Sequence, residues 1–309
     1  MPAQLDLSLL STIRDPELRA SIERLGNTMA EAPLAPEPDP PSGAKIIQFP
    51  LFPEATRPVS NDMARSSLFS CVQGKDRRFI KDALLATVDG VEIRFTGEQL
   101  NQDDHDLLMQ LIFMARERPM GAWVTVSAHA ILKALCRQVG GKQHRALRAD
   151  IFRLAAGTVS IRIARDRVEV TGHHLIAKAS QHEDSRHWMY RLDPDLCFLY
   201  GGESYTLIDW EKRLNLKGKD LARWLQLYIA THAKPFPVKV ATLQELSGSR
   251  TKALRSFRGQ LRLALDALIA NHDVERWWIA QNTDLVAVDR GEAITGSQRR
   301  HIGRNVQRT

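Results

Sequence analysis

The chain has 309 residues, 43% of them apolar, and carries a formal net charge of +7. That is enough apolar material for two cores of ordinary domain size. No stretch approaches a membrane span, the N-terminus lacks a signal peptide's uninterrupted apolar run, and the three cysteines, Cys71, Cys136 and Cys197, have no paired spacing. Membrane, secreted and disulfide-framework classes are therefore excluded, and a reducing cytoplasm is the expected compartment. The charge is uneven. Residues 1–60 carry five Lys/Arg against eight Asp/Glu, a net of −3, which leaves +10 for the remainder. A basic excess confined to the folded part is what a nucleic-acid footprint requires.

In chain order, Leu5 to Leu25 has helical periodicity broken by Pro16, which predicts a short amphipathic helix formed with a partner. From Glu31 to Ser60 prolines stand at 33, 36, 38, 40, 41, 50, 53 and 58, a density that neither a helix nor an internal strand survives. Residues 1–60 are accordingly expected to be a largely disordered, proline-rich segment and linker. Within it lies an apolar island, Ile46-Ile47-Gln48-Phe49-Pro50-Leu51-Phe52. An unfolded segment has no core to bury such an island, so it is either a stretch that packs back on the folded body or a short linear motif for a partner's hydrophobic pocket.

Two similar units follow. The first runs from Ser127 to Val170: a short helix with Ile131, Leu132 and Leu135, a Gly140-Gly141 turn, a basic helix, then two β-branched runs. Leu147, Ile151 and Leu154 form the apolar stripe of that basic helix; Lys142, Arg145, Arg148 and Arg153 supply its charge, diluted by Asp150. The runs Thr158–Ile163 and Arg167–Val170 alternate apolar residues with Arg162, Arg165 and Arg167, as a wing along a DNA backbone would. The second unit, Ala241 to Val288, repeats this order, with Leu243 and Leu246 before Gly248. Its stripe is Leu254, Phe257, Leu261, Leu265 and Leu268, and Arg255, Arg258 and Arg262 keep the same rhythm on another face, joined by Arg250 and Lys252. An offset of about 110 residues superimposes Arg145, Leu147 and Ile151 on Arg255, Phe257 and Leu261. Basic residues at a helix N-terminus oppose the dipole unless an anion such as a phosphate sits there. Trp277 and Trp278 either touch nucleic acid or, as alternation along a strand favours, divide into one core residue and one half-exposed cover.

Helix, tight turn and basic helix followed by a hairpin is the winged-helix pattern. The predicted fold is α+β: tandem winged-helix domains at 61–203 and 204–290, a linking helix from about Ile208 to His232, and a basic disordered tail at 291–309 containing Arg299, Arg300, Arg304 and Arg308.

Several ordered motifs then carry a resemblance. Gln48 followed after two residues by Leu51-Phe52 resembles the bacterial sliding-clamp-binding motif, with Phe49-Pro50 in place of the usual intervening pair. Asn61-Asp62-Met63-Ala64-Arg65-Ser66-Ser67-Leu68-Phe69 resembles the segment opening the folded part of TrfA-type plasmid replication initiators. Phe95-Thr96-Gly97-Glu98-Gln99-Leu100 with Asp103-Asp104, the run Leu199 to Thr206 before Trp210-Glu211-Lys212, and Pro235-Phe236-Pro237-Val238-Lys239 match in the same order. The resemblance covers residues 45–290. It implies a plasmid- and nucleoid-associated bacterial protein that binds origin repeats (iterons), opens the adjacent A/T-rich duplex with single-stranded origin DNA as a further ligand, and brings in the host sliding clamp through Gln48, Leu51 and Phe52 and the replicative helicase. It also implies monomer–dimer self-association.

Enzymatic readings are weak. His173, His174, His182, His187, Glu183 and Asp184 lack the His-hydrophobe-His spacing and following tyrosine of rolling-circle initiators. Gly140-Gly141-Lys142-Gln143 lacks the spaced first glycine and the Ser/Thr of a P-loop. The expectation is no catalytic residue, no metal and no cofactor. A plain helix-turn-helix transcriptional repressor remains the alternative.

Overall fold

A computed structural model describes residues 52–181, 187–201 and 204–290. The expected N-terminal helix, Gln48 and Leu51 of the apolar island, His182, Glu183 and Asp184, and the basic tail lie outside the described residues.

The described residues are mixed α and β. Strand β1 (Thr56–Ser60) opens them, and Ser60 caps the short helix α1 (Asn61–Ala64) by accepting from the Met63 amide. There follow β2 (Phe69–Ser70), β3 (Phe79–Leu84), β4 (Val91–Glu98) and β5 (Leu100–Asn101). Helix α2 (Gln102–Ala115) begins at a capping box in which Asn101 and Asp104 satisfy each other's backbone amides. Next come β6 (Val124–Ser127), α3 (Ala128–Ala134), the first basic helix α4 (Gly141–Ala156), and β7 (Thr158–Ile163), β8 (Val168–His174), β9 (Ile176–Gln181) and β10 (His187–Leu192). Strand β11 (Tyr205–Asp209), α5 (Trp210–Asn215) and α6 (Asp220–Ala230) lead into β12 (Val238–Lys239), α7 (Val240–Leu246), the second basic helix α8 (Leu254–Ala270), β13 (Arg276–Ile279) and β14 (Leu285–Asp289).

The internal repeat is a topological one. Helix, strand, helix, basic helix and hairpin recur as α2-β6-α3-α4-β9-β10 and α6-β12-α7-α8-β13-β14. In both copies the strand between the first two helices pairs antiparallel with the last strand of the hairpin, giving the orders β6-β10-β9 and β12-β14-β13. The hairpin belonging to the first basic helix is thus β9-β10. Strands β7 and β8, expected to be its wing, sit in a separate antiparallel sheet of order β3-β4-β7-β8. Their alternation was real, but one side of it buries Val159, Ile161 and Ile163 against β4 rather than facing a ligand.

Two expectations about boundaries fail for one reason. Residues 56–60, assigned to the linker, form β1, which pairs with β11 along its whole length. Pro58 is tolerated because this two-stranded ribbon is all edge, so the missing amide leaves no ladder bond unmade. Arg57 on β1 is buried, donates to Gln110 Oε1 at 2.7 Å, and lies over the rings of Phe113 and Trp210. The segment from 204, expected to open the second domain, instead gives Ile208 and Trp210 to the first core. The buried residues of the second core start at Leu216, with Cys71, Ala86 and Val88 packing against it from earlier in the chain. The predicted continuous helix from Ile208 to His232 is broken into β11, α5 and α6, with Gly218 in a left-handed conformation (φ +81°) between the helices.

A buried ionic network joins the copies. Asp106 of α2 accepts from Arg213 Nε of α5 at 2.6 Å and from Arg223 of α6. Arg223 also reaches Asp103 (2.8 Å) and Asp220 (3.1 Å), and Arg213 reaches Gln102 Oε1 and the Arg223 carbonyl. Burial alone would raise the Asp106 carboxyl, but the two guanidiniums hold it below the usual carboxylate range. Burial lowers Arg213 to about 10.

Gly248, in the turn between α7 and α8, has φ +62°, and a Cβ there would lie 2.7 Å from Ser70 Cβ of β2. Beside it, the Cys71 amide donates to Ser247 O at 2.8 Å. Both backbone conformation and proximity therefore demand glycine. Gly248→Ala should destabilise the protein by about 1 to 3 kcal/mol, measured as a shift in urea midpoint at unchanged slope.

Just after α6, His232 lies against the rings of Tyr228 and Phe236; burial, then the Arg65 charge, lowers its pKa from 6.5 to about 4. Buried His105, beside Arg213 and Arg223, is also lowered well below its ordinary value. Both are neutral when folded and take up protons when unfolded below about pH 6.5. The unfolded state then binds more protons, so stability is expected to fall as pH drops from about 6.5 to about 4. Urea midpoints at pH 7 and pH 5 should show this loss, and His232→Gln should reduce it.

Candidate nucleic-acid interface

Each basic helix packs its apolar stripe inward: Leu147, Ile151 and Leu154 on α4, and Phe257, Leu261, Leu265 and Leu268 on α8, are buried. What remains outside is set by the helical period. On α4, Lys142, Arg145 and Arg148 are exposed. Arg148 leans 5.0 Å over the Phe152 ring and donates to Gln181 Oε1 of β9 at 3.1 Å, which aligns helix and hairpin. On α8, Arg255 and Arg262 are exposed with no ion-pair partner among the described residues, as is Lys252 just before it. Neither helix has a side-chain N-cap: Gly140 precedes α4 and Ala253 precedes α8. First-turn amides beside Lys142 and Lys252 are therefore left for solvent or an anion.

Arg153 is a correction. Its guanidinium is largely buried and bonds Asp104 (2.7 Å) and Asp150 (3.0 Å), with Glu98 3.1 Å from Nε. It lies beside the buried Leu154, so the helix turns it inward. Asp104 is fully buried, with Arg77 as its other cationic partner. Asp150, expected to dilute the basic face, is consumed by Arg137 and Arg153 and leaves that face unopposed. Arg258 is partly diverted: Nε and Nη2 clasp Asp284 at 2.9 and 2.8 Å, bracing the β13-β14 hairpin. Arg250 is exposed and donates to Gln99 Oε1, between β4 and β5. The remaining expected contacts, Lys142, Arg145, Arg148, Lys252, Arg255 and Arg262, stay on the surface.

Three exposed apolar groups on the basic helices escape charge-based reasoning. Leu263 on α8 is 73% exposed, and Phe152 on α4 and Ile269 near the end of α8 are also exposed. Each stands apart from its helix's buried stripe, which was a usable signal. Trp277 packs on the second core with its indole N–H on Asp266, and Trp278 is exposed, as strand alternation required.

Phe52 also differs from expectation. It is buried in the first core, edge-on to Tyr205, rather than presented as a free anchor. The cause is β1, whose pairing with β11 draws the adjoining residues onto the body.

His173, Asp193 and Asp195 are the group among the described residues that could hold a cation. Asp193 is already employed: it caps the 3-10 turn at Pro194–Tyr200 through the Asp195 amide, and accepts from the His174 amide while contacting His173 Nδ1 at 2.9 Å.

Residues 44–290 match the TrfA protein family. The chain belongs to that family. It is 27% identical over 254 residues to the plasmid replication initiator protein TrfA of Escherichia coli, a match covering 78% of this chain and 65% of that protein. The chain thus spans less than two thirds of the length of that relative. Among solved structures, the Pi initiator protein in complex with iteron DNA gives a TM-score of 0.46 at 14% identity, covering 61% of this chain and 95% of that one. Domains 2 and 3 of RctB give 0.46 at 13%, covering 71% and 94%.

The motifs that resemble the family are mostly architectural here. In the segment Asn61–Phe69, Asp62 takes both arms of Arg165, Arg65 donates to Thr231, the Ser66 carbonyl accepts from Trp224 Nε1, and Phe69 stacks on His105. This segment reaches both cores. In Phe95–Leu100, a Cβ at Gly97 would meet Gly157 and the Phe95 ring at 3.0 Å, which accounts for glycine at that step.

Surface and buried arginines should separate in measurement. Arg153→Ala should lower unfolding stability by about 2 to 4 kcal/mol, because it strips a partner from buried Asp104. Arg255→Ala or Arg262→Ala should leave stability within about 0.5 kcal/mol and weaken DNA binding.

Proposed function

We propose that the protein is a plasmid replication initiator that binds double-stranded origin repeats through two tandem winged-helix modules. The observation that carries this is the duplicated helix-strand-helix-helix-hairpin unit of like sheet order, with an uncapped basic helix exposed in each copy. Membership of the TrfA family supports it. One winged helix covers about one major-groove face, so two on one chain engage successive turns without a dimer partner. Phosphate contacts from the lysines and most arginines supply affinity, and an arginine reaching a guanine edge supplies discrimination.

Opening of the neighbouring duplex, single-stranded origin DNA, the host sliding clamp, the replicative helicase and monomer–dimer self-association belong to the same reading, as does a cytoplasmic, plasmid-associated location. No helix among the described residues is long and apolar enough to cross a membrane. Clamp docking through Gln48, Leu51 and Phe52 requires Phe52 to leave its place against Tyr205. Phe52→Ala is therefore expected to destabilise the fold by about 3 kcal/mol, read by thermal melting, independently of any effect on clamp binding.

Footprinting the purified protein on DNA around its own gene tests the main reading. Regularly spaced protection over direct repeats is the expected result, and a single protected site overlapping a promoter would favour a repressor.

A further inference from the structure

Gly259 lies in the interior of α8, exposed, and a Cβ added there would have nothing within 4 Å. Its φ is not positive, so neither backbone conformation nor internal packing calls for glycine. Glycine is nonetheless the poorest helix former after proline, and a mid-helix glycine without a packing reason weakens its helix. Its surface neighbours sharpen the point. Residues three and four apart share a helix face, which places Gly259 between Arg255 and Arg262, with Leu263 beside it. Both arginines are exposed without an ion-pair partner among the described residues, and Leu263 is an apolar side chain 73% exposed. The equivalent position on α4, at the offset that aligns Arg145 with Arg255, is Ala149, also small and exposed. Each copy thus presents a low point on its outer face, with an arginine one turn before it.

We infer that Gly259 is a specificity-determining residue: it marks where duplex DNA comes closest to the second basic helix, its missing Cβ letting base edges on the major-groove floor lie against the helix backbone. Arg255 and Arg262 then straddle that point, and Leu263 meets an apolar edge such as a thymine methyl group, the one apolar feature the major groove offers. This rests on the origin-binding reading and adds to it a contact made by the absence of a side chain. Glycine serves close backbone approach elsewhere for the same steric reason.

The test uses the full chain, its protected duplex from footprinting, and Gly259→Ala and Gly259→Gln. Because alanine favours the helix and nothing obstructs its methyl group, Gly259→Ala should raise the melting temperature by about 1 to 3 °C. It should at the same time weaken binding to the protected duplex at least about threefold, and Gly259→Gln at least about tenfold. Gain of stability with loss of affinity is a combination that a purely structural glycine does not produce. Either variant binding as the wild type does, or Gly259→Ala melting lower than the wild type, overturns the inference while leaving the initiator reading intact. A wild-type protein that protects no duplex overturns that reading and this inference together.

Discussion

A carboxylate held between two buried guanidiniums sets the arrangement of the chain. Asp106 on α2 of the first copy meets Arg213 and Arg223 from the two helices that lead into the second copy. Removing three charges from water is strongly unfavourable unless each finds fixed partners, and here Gln102, Asp103, Asp220 and the Arg223 carbonyl supply further ones. Such a network tolerates little sliding, since a shift of about an ångström leaves a buried charge unpaired. Helix α6 is therefore both the first helix of the second copy and a fixed part of the first.

Other contacts depend on that placement. With α6 seated, Trp224 reaches the Ser66 carbonyl, Thr231 receives Arg65, and the α7-α8 turn comes close enough to Ser70 that only Gly248 fits. The two basic helices are thereby carried on one framework. Were the protein to engage two successive stretches of duplex as proposed, this framework would already have removed orientational freedom that is otherwise lost on binding.

The sequence revealed the parts of this fold that repeat with a helical period and concealed those that depend on distant partners. The stripes of α4 and α8 and the glycine turn before α8 were legible because i, i+3, i+4 spacing is a local signal. Strand β1 was not: eight prolines in thirty residues mark a linker, and only pairing with β11, some 150 residues away, makes Thr56–Ser60 a strand. The hairpin β7-β8 was assigned to the wrong sheet because alternation reports a buried face without naming what buries it. At the candidate site, the charge rhythm located two basic helices that the structure contains but could not tell Arg145, which faces solvent, from Arg153, which neutralises Asp104 from below.

Hydrogen exchange on the full chain under increasing, sub-denaturing urea tests most directly whether the two copies are one framework. If the Asp106 network binds them as described, the core amides of α2 and those of α8 open together, with the same free energy and the same dependence on urea. Exchange of α8 at low urea while α2 stays protected would show two independent modules and contradict the account.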